Sequence, residues 1–155
     1  MREVAHTLKS AHLGNERIVW VQTPEDEQTP AALIVFLDGE FYREHVAPPA
    51  ALAALIETGA IPPALVAYVS IESMDARWCE CPCHPPFARF VADELMPRLA
   101  AEHPVINSLQ SRVLVGLSYT GLAASFVAWR VPGLFNPNGF ISLRKSTCNK
   151  ITACP

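Results

Sequence analysis

The run from Arg112 to Arg130 constrains this chain most, because in it an apolar strand turns sharply into a helix. Val113 to Val115 has the length and β-branched content of a buried strand, and Leu122 to Trp129 is a small-residue, apolar segment suited to a helix lying on a sheet. Between them Gly116-Leu-Ser-Tyr-Thr-Gly121 allows only a tight junction, with Ser118 at its apex. A strand–turn–helix of this kind strains the serine backbone and holds its hydroxyl clear of the sheet, the context of a nucleophile elbow. The serine also opens a helix, whose free N–H groups and dipole favour developing negative charge. The G-x-S triplet alone carries little weight, since with glycine near about 7% of residues roughly one is expected by chance in such a chain. A β-turn-α junction with a serine cap is the plainer reading, and the rest of the chain must decide.

The remaining pattern alternates strands with helices. Arg17 to Gln22 reads as a strand, and Ala32 to Leu37 and Leu65 to Ile71 read as strands buried on both faces. Residues 1–15 are polar and mixed, with a turn at Leu13-Gly-Asn15. Glu44 to Thr58 has helical spacing with Gly59 as C-cap, and Pro48-Pro49 must fall in its first turn or before it. Glu72 to Pro86 is a loop rich in cysteine and proline. Phe87 to Glu102 is an amphipathic helix with a kink expected at Pro97 and an end at His103-Pro104. Such an order predicts a layered α/β fold with a largely parallel sheet, whose sites form where loops leave the strands' carboxyl ends. Three loops qualify: Asp38 to Phe41, Glu72 to Pro86 and Gly116 to Gly121.

Composition excludes several classes. A net charge of −3 leaves no basic footprint for nucleic acid and no polybasic membrane patch. No run reaches the length of a membrane span, and Met1 to Thr7 lacks the apolar core of a signal peptide, so a cytoplasmic location is the expectation. Five cysteines, an odd count with no export signal, read as free thiols rather than a disulfide framework. Charge is uneven: all fifteen acidic residues lie at or before Glu102 and all five histidines at or before His103.

Other chemistry-bearing residues have competing readings. Cys79-Glu-Cys-Pro-Cys-His84 resembles a metal tract, but structural zinc sites draw ligand pairs from separated segments, and Pro82 interrupts this one. No metal and no cofactor are expected. Arg77 and Glu80 either contact substrate, hold their loop, or form a solvated pair. His84 is a histidine near a candidate site loop, with no acid placed for it by any motif. Asp38 is expected to shape its turn by side-chain-to-backbone bonding.

Taken in order, Leu13-Gly14 with Arg17 to Trp20, Val35-Phe-Leu-Asp-Gly-Glu-Phe-Tyr42, Leu55 to Pro63, Arg77 with Glu80, Phe87 to Pro97 and Arg112 to Phe135 resemble the enterochelin-esterase-like, esterase-D-like branch of the α/β-hydrolases. The resemblance implies a three-layer α/β-hydrolase-type sheet with helices on both faces, ending here after the elbow helix. It implies ester hydrolysis by a Ser-His-Asp triad, with a small-molecule ester, in several members an iron-siderophore ester, as the partner. Carried over by position, Ser118 is the nucleophile, Tyr119 supplies one oxyanion-hole N–H, and Gly39-Glu40 supply the other. Arg77, Glu80 and His84 fall on the substrate side. Thr120 stands where the family has a small residue and is expected to crowd the strand–helix approach.

The family's acid and histidine follow its serine, but no Asp, Glu or His follows Ser118. The expectation is an esterase domain over 1–135 and a non-family tail over 136–155, as if the reading frame were truncated or altered near Asn136. Two alternatives accompany the esterase reading: an inactive ligand-binding remnant, and an unstable product whose last strand is an unpaired, aggregation-prone edge.

Overall fold

The computed structural model describes residues 2–46, 48–137 and 140–143. Strands β1 (Arg2–Ser10) and β2 (Asn15–Thr23) form an antiparallel hairpin, followed by β3 (Ala32–Leu37), β4 (Ala64–Val69), β5 (Arg112–Leu117) and β6 (Phe140–Leu143). They make one six-stranded sheet in the order β1-β2-β4-β3-β5-β6. β2 pairs antiparallel with β4, while β4, β3, β5 and β6 run parallel.

Period-two alternation sorts the side chains of the central strands into two cores. Leu33, Val35, Leu37, Leu65, Ala67, Val69 and Leu114 point to one face, where Phe90, Val91, Leu95, Leu99, Ala124 and Val127 cover them. Phe36, Val66, Tyr68 and Val115 point to the other, against Tyr42 and the partly buried Leu52. Each valine, leucine or phenylalanine side chain buried to this degree contributes about 1.5–3 kcal/mol of hydrophobic free energy. A single helical turn, α1 (Gly39–Phe41), follows β3, and longer helices lie on both faces: α2 (Pro48–Glu57) on one, and α4 (Pro85–Arg89), α5 (Met96–Glu102) and α6 (Tyr119–Arg130) on the other.

Several expectations hold in detail. Gly59 ends α2 with φ 69°, a left-handed cap that glycine adopts without strain. The helix expected over Phe87 to Glu102 begins two residues earlier, at Pro85-Pro86, and widens into a π-turn over Phe90–Leu95. Pro97 supplies the reason: it has no N–H to give, and the Met96 N–H instead reaches back to the Val91 carbonyl. Glu94, one turn above, accepts from the Ala11 and His12 N–H groups at 2.8 and 3.2 Å and so ties the hairpin turn to this helix.

Three elements depart from the sequence reading. Residues 2–10 form β1, the edge of the sheet. The cysteine-rich loop contains α3 (Met74–Glu80), capped where Ser73 Oγ accepts from the Ala76 N–H at 3.0 Å. And β5 is not an unpaired edge, because Leu114 to Leu117 pair with Phe140 to Leu143. The bounds of a tail over 136–155 lie largely outside the described residues.

Candidate active site

The loops after β3, β4 and β5 meet at one end of the sheet. Ser118 follows β5 directly and has φ 58° and ψ −113°, a region that non-glycine residues enter only at a cost of about 1–3 kcal/mol. Its hydroxyl makes no hydrogen bond among the described residues, and its carbonyl accepts from the Leu122 N–H at 3.0 Å. Gly116 explains how the turn can be so sharp. A Cβ there would lie 2.2 Å from the Thr120 carbonyl oxygen and 2.4 Å from its carbon, so only glycine lets α6 fold back this closely.

Thr120 does not merely crowd the junction. It is 1% exposed, and its hydroxyl donates to Asp38 Oδ2 at 2.6 Å while accepting from the Leu117 N–H at 2.9 Å. Asp38 in turn does not bond its own turn through its side chain. It sits at φ 67°, and its carboxylate takes a two-pronged contact from Arg77, Nε at 3.0 Å and a terminal nitrogen at 2.8 Å. That same Arg77 nitrogen donates to the Leu117 carbonyl at 3.2 Å. Asp38 holds the Arg77 guanidinium even more firmly protonated than usual. Asp38, Arg77 and Thr120 thus clamp the residue immediately before the serine to the end of β3.

Arg77 and Glu80 do not pair with each other. Glu80 accepts from Arg17, which is 2% exposed, and from Asn15 Nδ2 at 2.9 Å, while Arg17 also donates to the Ser70 carbonyl at 3.3 Å. Two ion pairs, Arg17–Glu80 and Arg77–Asp38, therefore line one small void beneath the site. Glu80 is 9% exposed and spends its oxygens inward.

The residues expected to form an oxyanion hole lie at the starts of the segments that follow β5 and β3. Tyr119 is the first residue of α6, so its N–H points from the helix start, and its ring stacks edge-on against Trp78 with centroids 4.5 Å apart. Gly39 packs tightly on the end of β4, where a Cβ would meet Tyr68 and Val69 backbone atoms at 2.9 Å. Glu40 anchors the same loop by accepting from the Ile71 N–H at 3.0 and 3.1 Å. An open cleft of about 450 Å³ runs past Asp38, Glu40, Phe41, Ile71, Met74, Arg77 and Leu117. Phe41 and Met74 are exposed in its lining, giving the cleft apolar walls beside its charged floor.

His84 is placed otherwise. It caps α4, is half-buried, and makes no hydrogen bond to Ser118 among the described residues. Nor do the cysteines read alike. Cys79 is in a disulfide, against the expectation of free thiols throughout. Cys81 is a buried free thiol and Cys83 an exposed one at φ 51°. Burial pushes the Cys81 thiol up to about 12, and a thiol that stays protonated is a poor nucleophile. Alkylation at mildly alkaline pH should therefore modify Cys83 and spare Cys81 until the protein is unfolded. Equal labelling rates in the native state would contradict this burial.

A parallel sheet covered on both faces, with a strained serine between β5 and the helix that follows it, has the architecture of the α/β-hydrolases. Residues 10–149 match the family described as "Putative esterase", and the chain belongs to that esterase family. Curated relatives include the iron(III) enterobactin esterases of Dickeya dadantii, 34% identical over 129 residues, and of Escherichia coli strain K12, 34% identical over 132 residues. Each alignment covers 82% of this chain and 30% or 32% of the relative, so the chain spans about one third of their length. The crystal structure of the Shigella flexneri enterochelin esterase superposes with a TM-score of 0.79 at 30% identity, covering 87% of this chain and 34% of that one. A ferulic acid esterase, 20% identical with a TM-score of 0.73 over 86% of this chain and 55% of its own, shares the fold. Among the described residues no helix is long and apolar enough to cross a membrane.

Proposed function

We propose that this chain carries the nucleophile and oxyanion side of a serine carboxylic-ester hydrolase site, acting on esters of the iron-siderophore type. The observation that carries the reading is the backbone of Ser118, held at φ 58° at the start of α6 with its hydroxyl unengaged among the described residues. In this mechanism Ser118 Oγ attacks the ester carbonyl and its proton passes to a base. The oxyanion is met by the Tyr119 N–H and by an N–H from Gly39-Glu40. The alcohol leaves with a proton, and water then hydrolyses the acyl-serine. The substrate class is suggested by relatives whose names state that they act on iron(III) enterobactin, and by the similar Shigella flexneri enterobactin esterase, whose crystal structure was determined in the presence of enterobactin. Apolar walls with Arg77 in the floor suit an ester with a flat, partly anionic body.

A serine hydroxyl needs an adjacent base, and none of the residues after Ser118 is a histidine or a carboxylate. That observation favours a second reading, in which the cleft binds an ester or siderophore without turning it over. Oxyanion donors and binding alone still give about 10³–10⁴-fold acceleration over water in a serine hydrolase stripped of its triad. Hydrolysis of p-nitrophenyl acetate decides between the two. An acyl adduct mapped to Ser118 by mass spectrometry, with turnover falling at least about 100-fold in Ser118→Ala, is expected for the acyl-serine route. Equal rates without an adduct would reject that route and leave the binding function.

A further inference from the structure

Away from the serine, β1 and the end of α5 bring together two imidazoles and a carboxylate. One ligand atom each from His6, Glu102 and His103 lies within 4.8 Å of the other two. His6 Nδ1 is 3.9 Å from Glu102 Oε2, too long for a hydrogen bond, while Glu102 Oε1 is held by Arg98 at 2.8 Å. Among the described residues, His6 Nε2 and His103 Nε2 are both buried and have no hydrogen-bond partner. Buried imidazole nitrogens without a partner, on two rings beside a carboxylate, are a costly arrangement unless something joins them.

We propose that His6, Glu102 and His103 bind one divalent transition-metal ion of the zinc class, pinning β1 to the C-terminus of α5. The donor set suits zinc, which takes imidazole nitrogen and carboxylate oxygen at about 2.0–2.2 Å. At those bond lengths tetrahedral ligand atoms are about 3.4 Å apart, so closure needs side-chain adjustments of about an ångström. The Arg98 contact orients the carboxylate from outside and leaves its second oxygen for the ion. β1 lies four strand spacings from β5 in the sheet order, about 19 Å, so the ion is separate from the serine chemistry. Three protein ligands leave one position for water, and the absence of a thiolate separates this site from the cysteine tract.

Calorimetric titration of the metal-free full chain with zinc chloride tests the site, with cobalt(II) as a spectroscopic stand-in. Stoichiometric binding is expected, weakened at least about 100-fold in both His103→Ala and His103→Gln and unchanged in Cys81→Ser/Cys83→Ser. The cobalt form should show ligand-field bands without thiolate charge transfer. His103→Gln keeps a polar group at the helix end, so that loss of binding in a variant with a native circular dichroism spectrum is not a folding effect. Binding that survives both His103 variants, a thiolate charge-transfer band, or no binding in the wild type would each overturn the proposal.

Discussion

Truncating Glu80 to alanine is expected to remove about 3–5 kcal/mol of stability, the cost of leaving a buried charge without its partner. Arg17 is the charge in question. It is 2% exposed, its Nε already lacks a partner among the described residues, and after the truncation only the Ser70 carbonyl there would remain to it. A domain of this kind has about 5–15 kcal/mol in total, so the variant should unfold at much lower urea with an unchanged m-value. The control replaces both ions, Arg17→Met with Glu80→Leu, which should recover most of the loss because two apolar groups need no desolvation. A Glu80→Ala loss below about 1 kcal/mol would place the pair with exposed salt bridges and contradict its burial.

The second large effect is expected at Arg77. Arg77→Ala should cost about 3 kcal/mol, somewhat less than a fully buried pair because the arginine side chain retains 16% exposure. Asp38 would keep only the Thr120 hydroxyl, and the Leu117 carbonyl would lose its arginine donor. The loss should therefore appear twice, in the urea midpoint and in the rate at which an organophosphorus probe labels Ser118. Arg77→Lys separates charge from geometry: a point charge neutralises Asp38 but cannot span both carboxylate oxygens and Leu117. Recovery of stability without recovery of labelling is the expected result for lysine. Unchanged labelling in Arg77→Ala would mean that the clamp does not position the serine.

The elbow was legible because strand, turn and helix are contiguous, and Gly116 announces the close approach by its type. β3 and β4 were legible because both of their faces are buried. β1 was not, since an edge strand carrying Arg2, Glu3, His6 and Lys9 has no apolar run to show. α3 was hidden by its cysteines, although Ser73 is an ordinary cap signal. Asp38 and Thr120 lie far apart in sequence, and only the pairing of β3 with β5 brings the aspartate beneath the threonine. Arg17 did leave a trace: it shares its strand face with Val19 and Val21, which places a charge toward the core. His6 and His103 gave no joint signal, because β1 itself was not read.

The pairing of β3 with β5 also sets the order of assembly. Leu33 stands opposite Arg112, so this contact closes a loop of about half the chain, whereas β1 with β2 closes a short hairpin. Contacts so distant in sequence carry their entropy cost before any return, and chains rich in them fold slowly. The Asp38–Thr120 bond cannot exist until that loop has closed, and with it the fixing of the residues on either side of Ser118. A peptide cut from Arg112 to Arg130 would hold the same letters and relax the serine to an ordinary backbone. The strained geometry belongs to the assembled sheet and is among the last things the chain acquires.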